Sequence, residues 1–271
     1  FLLYLCQLTH LFNLIIVFYM KKPVIFYDLE TTGMPTPNVK IIEICAIKVD
    51  IDTLEEIDRI YYKCNNDGTP IDKEATERHG IVESDLVGLP TFNEVANEVF
   101  NFFQGCDLGG YYCTFFDIPI LYSSFLRANL TWDFRKLEIY DIHTLYKKYN
   151  SGKLKDVYKH YTGKDLDNAH EAESDIKATI EIYKELRKRD EEFEPDELMA
   201  FDDFLDISGN FKIRKNNEGK KEIYLTFGKY KNKSIDEIDD GYFKWMMNDT
   251  QGFPVDTKYY ANKILEMKNK S

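Results

Sequence analysis

Asp28 and Glu30 stand two residues apart at the end of an apolar run, VIFYDLETTG (24–33). In a strand, that spacing puts both carboxylates on one face. Paired carboxylates at the carboxyl end of a strand can hold hard divalent cations, although a lone D-x-E has a plainer reading as a solvated strand end. Thr31, Thr32 and Gly33 follow with two hydroxyls and a permissive backbone, and Met34 comes next. A second acid, Asp117, lies in Phe116-Asp117-Ile118-Pro119, at the mouth of a predicted helix with proline in its first turn. Taken by itself it reads as an N-cap. The third group is His170-Glu171-Ala172-Glu173-Ser174-Asp175. On an ideal helix five residues leave His170 and Asp175 about 140° apart, so His170 is expected on the loop before the helix, facing a carboxylate that the helix holds. A histidine with an ordinary pKa of about 6.5 can take a proton from water near neutral pH, or simply bond to backbone.

These groups need strands and helices to bring them together. Period-two or β-branched apolar runs predict strands at 24–33, 41–50 and 59–65. The segment 91–106 places Phe92, Val95, Val99, Phe102 and Phe103 at helical spacing. A short strand near 108–113, a helix over 117–128, a strand near 137–142 and a helix over 171–189 follow. Strands first, then alternating helix and strand, imply an α/β fold with a mixed sheet flanked by helices.

Charge divides the chain further. The net charge of -12 comes from 35 basic and 47 acidic residues, and it argues against a non-specific nucleic-acid binder. Residues 190–208 hold nine acids and no Lys or Arg, which reads as an acidic linker, whereas residues 209–271 hold 13 basic and nine acidic side chains. That last stretch is expected to form a small α+β module, with a strand pair at 211–215 and 222–228 and helices over 235–248 and 257–268. Between Lys212 and Lys233 eight Lys/Arg face only Glu218 and Glu222, with Phe211, Tyr224, Phe227 and Tyr230 interleaved. Such a stretch suits stacked bases and phosphates, with Lys229, Tyr230, Lys231 and Lys233 as the candidate patch; the same residues also read as a small core with solvated lysines.

Composition excludes other classes. At 44% hydrophobic and 30% charged the chain is neither disordered nor a multi-span membrane protein, and five scattered cysteines without a C-x-x-C pair argue against a disulfide scaffold and for a reducing cytoplasm. Residues 1–19 form an apolar run near the length of a membrane span, interrupted by Gln7, Thr9, His10 and Asn13. Met20 reads as a natural start, with the preceding residues an upstream translation artefact and no membrane involved; the rival reading is an anchor. The domain division is thus a leader (1–19), a first domain (20–189), the linker (190–208) and the C-terminal module (209–271).

Taken together, YDLETTG (27–33), GYYCTFFDIPIL (110–121) and AHEAESD (169–175) resemble the three motifs of the DEDDh family of 3′-to-5′ exonucleases, which includes the proofreading epsilon subunit of bacterial DNA polymerase III and ribonuclease T. The likeness spans about residues 23–189, and ATERHGI (75–81) resembles that family's loop before its first long helix. It implies a ribonuclease H-like fold, with Asp28, Glu30, Asp117 and Asp175 as metal ligands and His170 as general base. It further implies two divalent cations, Mg2+ or Mn2+, and nucleoside 5′-monophosphates released from a DNA or RNA strand with a free 3′ end, DNA ahead of RNA. Thr31, Thr32, Gly33, Met34 and Phe116 become substrate contacts, and a replication or repair protein a possible partner. The rival function is a weakly active nucleic-acid-binding or polymerase-associated subunit. Tyr112 departs from the Asn that the family often carries at this point of its second motif. Asp141 resembles a common family Asp that is not a metal ligand. FGKYKNKSIDEI (227–238) resembles a module appended to some bacterial exonucleases, whose function the likeness leaves open.

Overall fold

A computed structural model describes residues 22–35, 38–147, 152–167, 170–189, 203–216 and 219–270. Three strands open the fold: β1 (Val24–Thr31), β2 (Ile41–Val49) and β3 (Glu56–Lys63) form an antiparallel meander. β4 (Asp107–Gly110) then pairs parallel with β1, and β5 (Ile139–Asp141) parallel with β4, giving the order β3-β2-β1-β4-β5. Mixed pairing of this kind matches the expected sheet. The helices around it are α1 (Lys73–His79), α2 (Phe92–Phe103), α3 (Asp117–Arg127), α4 (Ile142–Lys147), α5 (Leu154–Thr162) and α6 (Ala172–Arg189).

The alternation of β1 decides where the chemistry lies. Ile25, Tyr27 and Leu29 enter one core layer with Val99 and Phe103 of α2 and Ile118 and Phe125 of α3. Val24 and Phe26 enter the opposite layer with Ile176, Ile180 and Tyr183 of α6. Asp28 and Glu30 continue the second set, so both carboxylates lie on the face that α6 covers. Burying large apolar side chains such as Phe103 and Phe125, each worth about 1.5–3 kcal/mol against exposure, holds the sheet between its two helical layers.

β4 pairs with β1 only from Val24 to Phe26. Beyond Phe26 the β4-facing edge of β1 has no strand beside it, and the segment carrying Asp28 and Glu30 runs on with β2 alone. This divergence of neighbouring parallel strands at their carboxyl ends opens the space that a ligand needs.

The C-terminal unit contains β6 (Phe211–Lys215), β7 (Lys221–Leu225), α7 (Asp240–Met247) and α8 (Val255–Lys268) around Phe211, Leu225, Phe243, Met246 and Ile264. Residues 203–208, expected in the linker, belong to this unit instead: Ile213 N–H donates to Asp203 O (2.7 Å) and Leu205 N–H to Phe211 O (2.7 Å). The unit is docked on the first domain. Tyr122 and Tyr260 hydroxyls meet at 3.2 Å, Arg135 donates to Leu205 O (3.0 Å), and Ile207, Val255 and Tyr259 pack against the layer that holds α3. Among the described residues no helix is long and apolar enough to cross a membrane. The apolar run 1–19, with its artefact and anchor readings, and most of the acidic segment lie outside those residues.

Candidate active site

Asp117 begins α3 and is almost fully buried. Its Oδ1 accepts the backbone N–H of Leu29 at 3.1 Å, in the gap where β4 has ended. The expected N-cap role does not hold, since Phe116 occupies that position and no side chain caps the helix; the Asp117 carboxylate instead completes the hydrogen bonding of β1 between Asp28 and Glu30. Asp175 approaches from the first turn of α6. Its Oδ2 accepts the backbone N–H of His170 (3.2 Å), while its Oδ1 is buried without a hydrogen-bond partner among the described residues.

Withdrawal from water acts on all four acids, and repulsion from the others of the set adds to it at Asp28 and Glu30. Burial, then Asp117, Glu30 and Asp175, push the Asp28 carboxyl well above the ordinary carboxylate range. Burial and the neighbouring Glu43 raise Glu30 to about 8, with Asp175 and Asp117 adding to the shift. Asp117 is raised by burial and by Asp141 against the opposing effect of the Leu29 N–H, and Asp175 is raised to about 6, chiefly by burial. Four half-buried or buried carboxylates that act on one another without a cation between them are costly, and such strain marks functional sites. Among the described residues no three His, Cys, Asp or Glu side chains are disposed to enclose a metal ion as they stand.

His170 lies on the loop before α6, as its spacing from Asp175 predicts, with a left-handed backbone (φ 73°) and an exposed side chain. Partial burial lowers its pKa below 6.5, and the charges of Arg78, Lys153 and Lys155 lower it further.

Asp141 has a different task. Fully buried, it accepts N–H bonds from Tyr112 (2.9 Å), Thr114 (2.9 Å), His143 (3.1 Å) and Thr144 (3.4 Å), and so fixes the turn that delivers Asp117. Tyr112, held in that turn at φ 63°, is exposed beside Phe115, with ring centroids 5.5 Å apart. The other acid in this region, Asp133, pairs with Lys136 at the surface.

The loop after β1 serves more of its own structure than expected. Thr31 donates its hydroxyl to Gly33 O (2.7 Å), and Thr32 Oγ1 accepts the Lys40 N–H (3.0 Å); both side chains are buried. At Gly33 the backbone passes close to the exposed Asp72 side chain, which would have to turn aside to admit a Cβ. Met34 is exposed at 59%, whereas Phe116 is half-buried against the core.

Two residues near the site escaped the sequence reading. Glu43 is opposite Glu30 in the β1–β2 register, buried, and 3.4 Å from Lys63. Its only signal is an acid in the otherwise apolar run IIEICAI. Arg78, on the last turn of α1, acts on both Glu30 and His170.

The residues of the C-terminal patch divide between the small core and the surface. Phe211 is fully buried, whereas Phe227 and Tyr230 are half-buried against the C-terminal core. Lys212 pairs with Asp203 and Lys233 with Glu237, while Lys229 lies over the rings of Tyr230 and Tyr242. Lys231 is exposed.

Known proteins resemble the chain over the same region. A DNA polymerase III PolC-type from Caldanaerobacter subterraneus subsp. tengcongensis is 29% identical over 170 residues, covering 61% of this chain and 12% of the polymerase. The epsilon subunit of DNA polymerase III from Pasteurella multocida is 33% identical over 114 residues, covering 39% of this chain and 43% of that subunit. The chain thus spans less than half of either relative. In fold, it is similar to E. coli exonuclease I in complex with a dA16 oligonucleotide, with a TM-score of 0.54 and 19% identity over 62% of this chain and 41% of that one. The profile of the exonuclease family, of ribonuclease T type, matches residues 25–183, from β1 through most of α6, and the chain belongs to that family.

Proposed function

We propose that the protein shortens DNA from its 3′ end, hydrolysing the terminal phosphodiester to release nucleoside 5′-monophosphates. The observation that carries this reading is the meeting of Asp28, Glu30, Asp117 and Asp175 at the open end of β1, each raised in pKa and one with a buried oxygen that has no partner among the described residues. An all-oxygen, anionic and under-compensated donor set fits hard divalent cations. These four residues would hold a pair of Mg2+ or Mn2+ ions. Bound there, the ions would offset the charge of the phosphodiester and favour ionisation of the attacking water.

The chain's own part is to place a base beside that cluster. His170 takes the proton from water on an imidazole nitrogen as the water oxygen bonds to phosphorus; the bond to the 3′-oxygen breaks, and that oxygen is protonated from solvent. A lowered pKa keeps the ring neutral near pH 7 and ready to accept. Because His170 is exposed, the proton it takes can pass to bulk water. Asp175 positions this loop through the His170 N–H, and Met34 and Phe116 contact the terminal nucleotide. The two DNA polymerase III relatives support DNA as substrate and a replication protein as partner.

The test uses 5′-labelled DNA and RNA strands with Mg2+, Mn2+ or EDTA. Stepwise shortening of DNA that EDTA abolishes is expected. Binding without shortening in any metal would replace this reading with that of a nucleic-acid-binding subunit.

A further inference from the structure

Arg78 at the end of α1 and Lys153 and Lys155 at the start of α5 come from separate places in the sequence to the mouth of the site. Beside Arg78, His79 Nδ1 accepts the Ile81 N–H (3.0 Å), so Nε2 bears the proton and donates to Thr31 O (3.3 Å). This fastens the end of α1 to β1 one residue past Glu30. Lys153 and Lys155 open α5, and the carbonyl of the preceding Gly152 accepts the Tyr111 hydroxyl at 2.6 Å. That bond fastens the start of α5 to the turn leading into Asp117. The charges of all three cations bear on His170.

All three are exposed, and among the described residues none forms an ion pair. Other lysines nearby do: Lys159 with Asp165 at 2.6 Å and Lys164 with Glu181 at 2.5 Å. In a chain with 12 more acids than bases, three cations set at the mouth of the site with no ion pair among the described residues are not explained by general surface charge. Two of them also sit at a helix start, the end where the macrodipole disfavours positive charge. Such an arrangement gains when an extended polyanion covers it, because each neutralised phosphate releases condensed counterions.

The geometry points to Arg78, Lys153 and Lys155 as a cationic rim that grips the phosphates of the nucleotides next to the scissile bond. This deepens the exonuclease reading and rests on it for the identity of the strand. It also moves the main phosphate contact from the C-terminal module to the mouth of the catalytic site. The four carboxylates alone repel a DNA strand, and a rim of opposite sign lets the strand approach while the acids remain free for cations.

The test compares wild-type protein with the R78Q/K153Q/K155Q variant, each single variant, and K159Q as a control on the same helix. Binding of a 5′-labelled oligothymidylate is followed by fluorescence anisotropy in EDTA, between about 50 and 200 mM salt. Three lost contacts at about 0.7 each should make the log–log salt slope shallower by about 2, with affinity at the lower salt reduced at least about tenfold. Each single change should remove about a third of that slope difference, and K159Q none of it. An unchanged slope in the triple variant overturns the rim. So does competition by inorganic phosphate beyond its ionic-strength effect, because it would mean a site for one free phosphate. Shortening of the same strand by wild-type protein in Mg2+ is scored separately. Steep, rim-dependent binding without shortening would refute the exonuclease reading and leave the rim standing, whereas shortening with an unchanged variant slope would refute the rim alone.

Discussion

Asp117 Oδ1 and the backbone N–H of Leu29 lie 3.1 Å apart, and this bond takes the place of a strand neighbour that β4 no longer supplies. One carboxylate therefore both closes the edge of β1 and joins Asp28 and Glu30. Replacing Asp117 with Asn keeps an acceptor for Leu29 and removes only the charge. Asp117→Asn should retain the fold and lose turnover by about 10³-fold or more, the scale of several kcal/mol of lost charge stabilisation. Melting in EDTA together with single-turnover rates in Mg2+ separates the two effects, and wild-type rates would remove Asp117 from the site.

Asp28→Asn should behave likewise, with one addition. Because burial and four other carboxylates raise Asp28, removing its charge relieves repulsion in the metal-free protein. Its melting temperature in EDTA should equal or exceed that of wild type. A clear drop would mean that Asp28 supports the fold rather than burdening it.

Stability of the metal-free protein should fall as pH rises. Glu30 at about 8, Asp175 at about 6 and, in the C-terminal unit, Asp206 at about 6 hold protons in the folded state at pH values where an unfolded carboxyl has lost them. The folded state therefore binds more protons between about pH 4 and 8, and stability declines across that window. Thermal melts in EDTA at its two ends measure this slope. Mg2+ should raise the melting temperature more at the alkaline end, and an equal effect at both ends would contradict metal binding by these acids.

His170→Ala should lower the rate by about 10² to 10⁴ at saturating metal. Since the pKa of His170 is lowered, the acidic limb of the wild-type rate profile should fall below pH 6.5 and be absent in the variant. A variant with the same limb would show that another group sets it.

Asp141→Ala leaves four backbone N–H groups without their acceptor in a fully buried place. The expected loss is about 3 kcal/mol of stability, with a fall in kcat as the turn carrying Tyr112 and Thr114 loosens ahead of Asp117. Chemical denaturation and steady-state kinetics check the two outcomes. Loss of stability at unchanged kcat would confine Asp141 to the fold.

The legible parts of the chain were those with a period. β1 alternates between two cores, β2 does so from Ile44 to Ile47, and α2 and α6 repeat their apolar residues at helical spacing, so their existence and order follow from the residues. α1 has no buried residue and so offers no apolar stripe, whereas α5 sets Leu154, Val157, Tyr158 and Tyr161 at helical spacing against the core but is only nine residues long, and both were missed. The acids were legible because each stands at the end of a periodic element. Glu43 was not, because its place opposite Glu30 depends on strand register, and Arg78, Lys153 and Lys155 were not, because side-chain tethers far apart in sequence bring them together. Thr31 and Thr32 show the converse: their types suited a substrate, but their hydroxyls close their own loop.

The seating of Tyr260 against Tyr122, and of Ile207, Val255 and Tyr259 on the layer around α3, bears on how the protein can be dissected. The helix that Asp117 opens is roofed by the tail. Cutting the tail away would bare apolar surface on the catalytic domain, so a shortened fragment should self-associate, and its lost activity would report a damaged surface before it reported a lost binding module. Point changes on the outer side of the tail, such as Lys231→Gln, leave that roof in place and are the means of asking what the tail itself contributes.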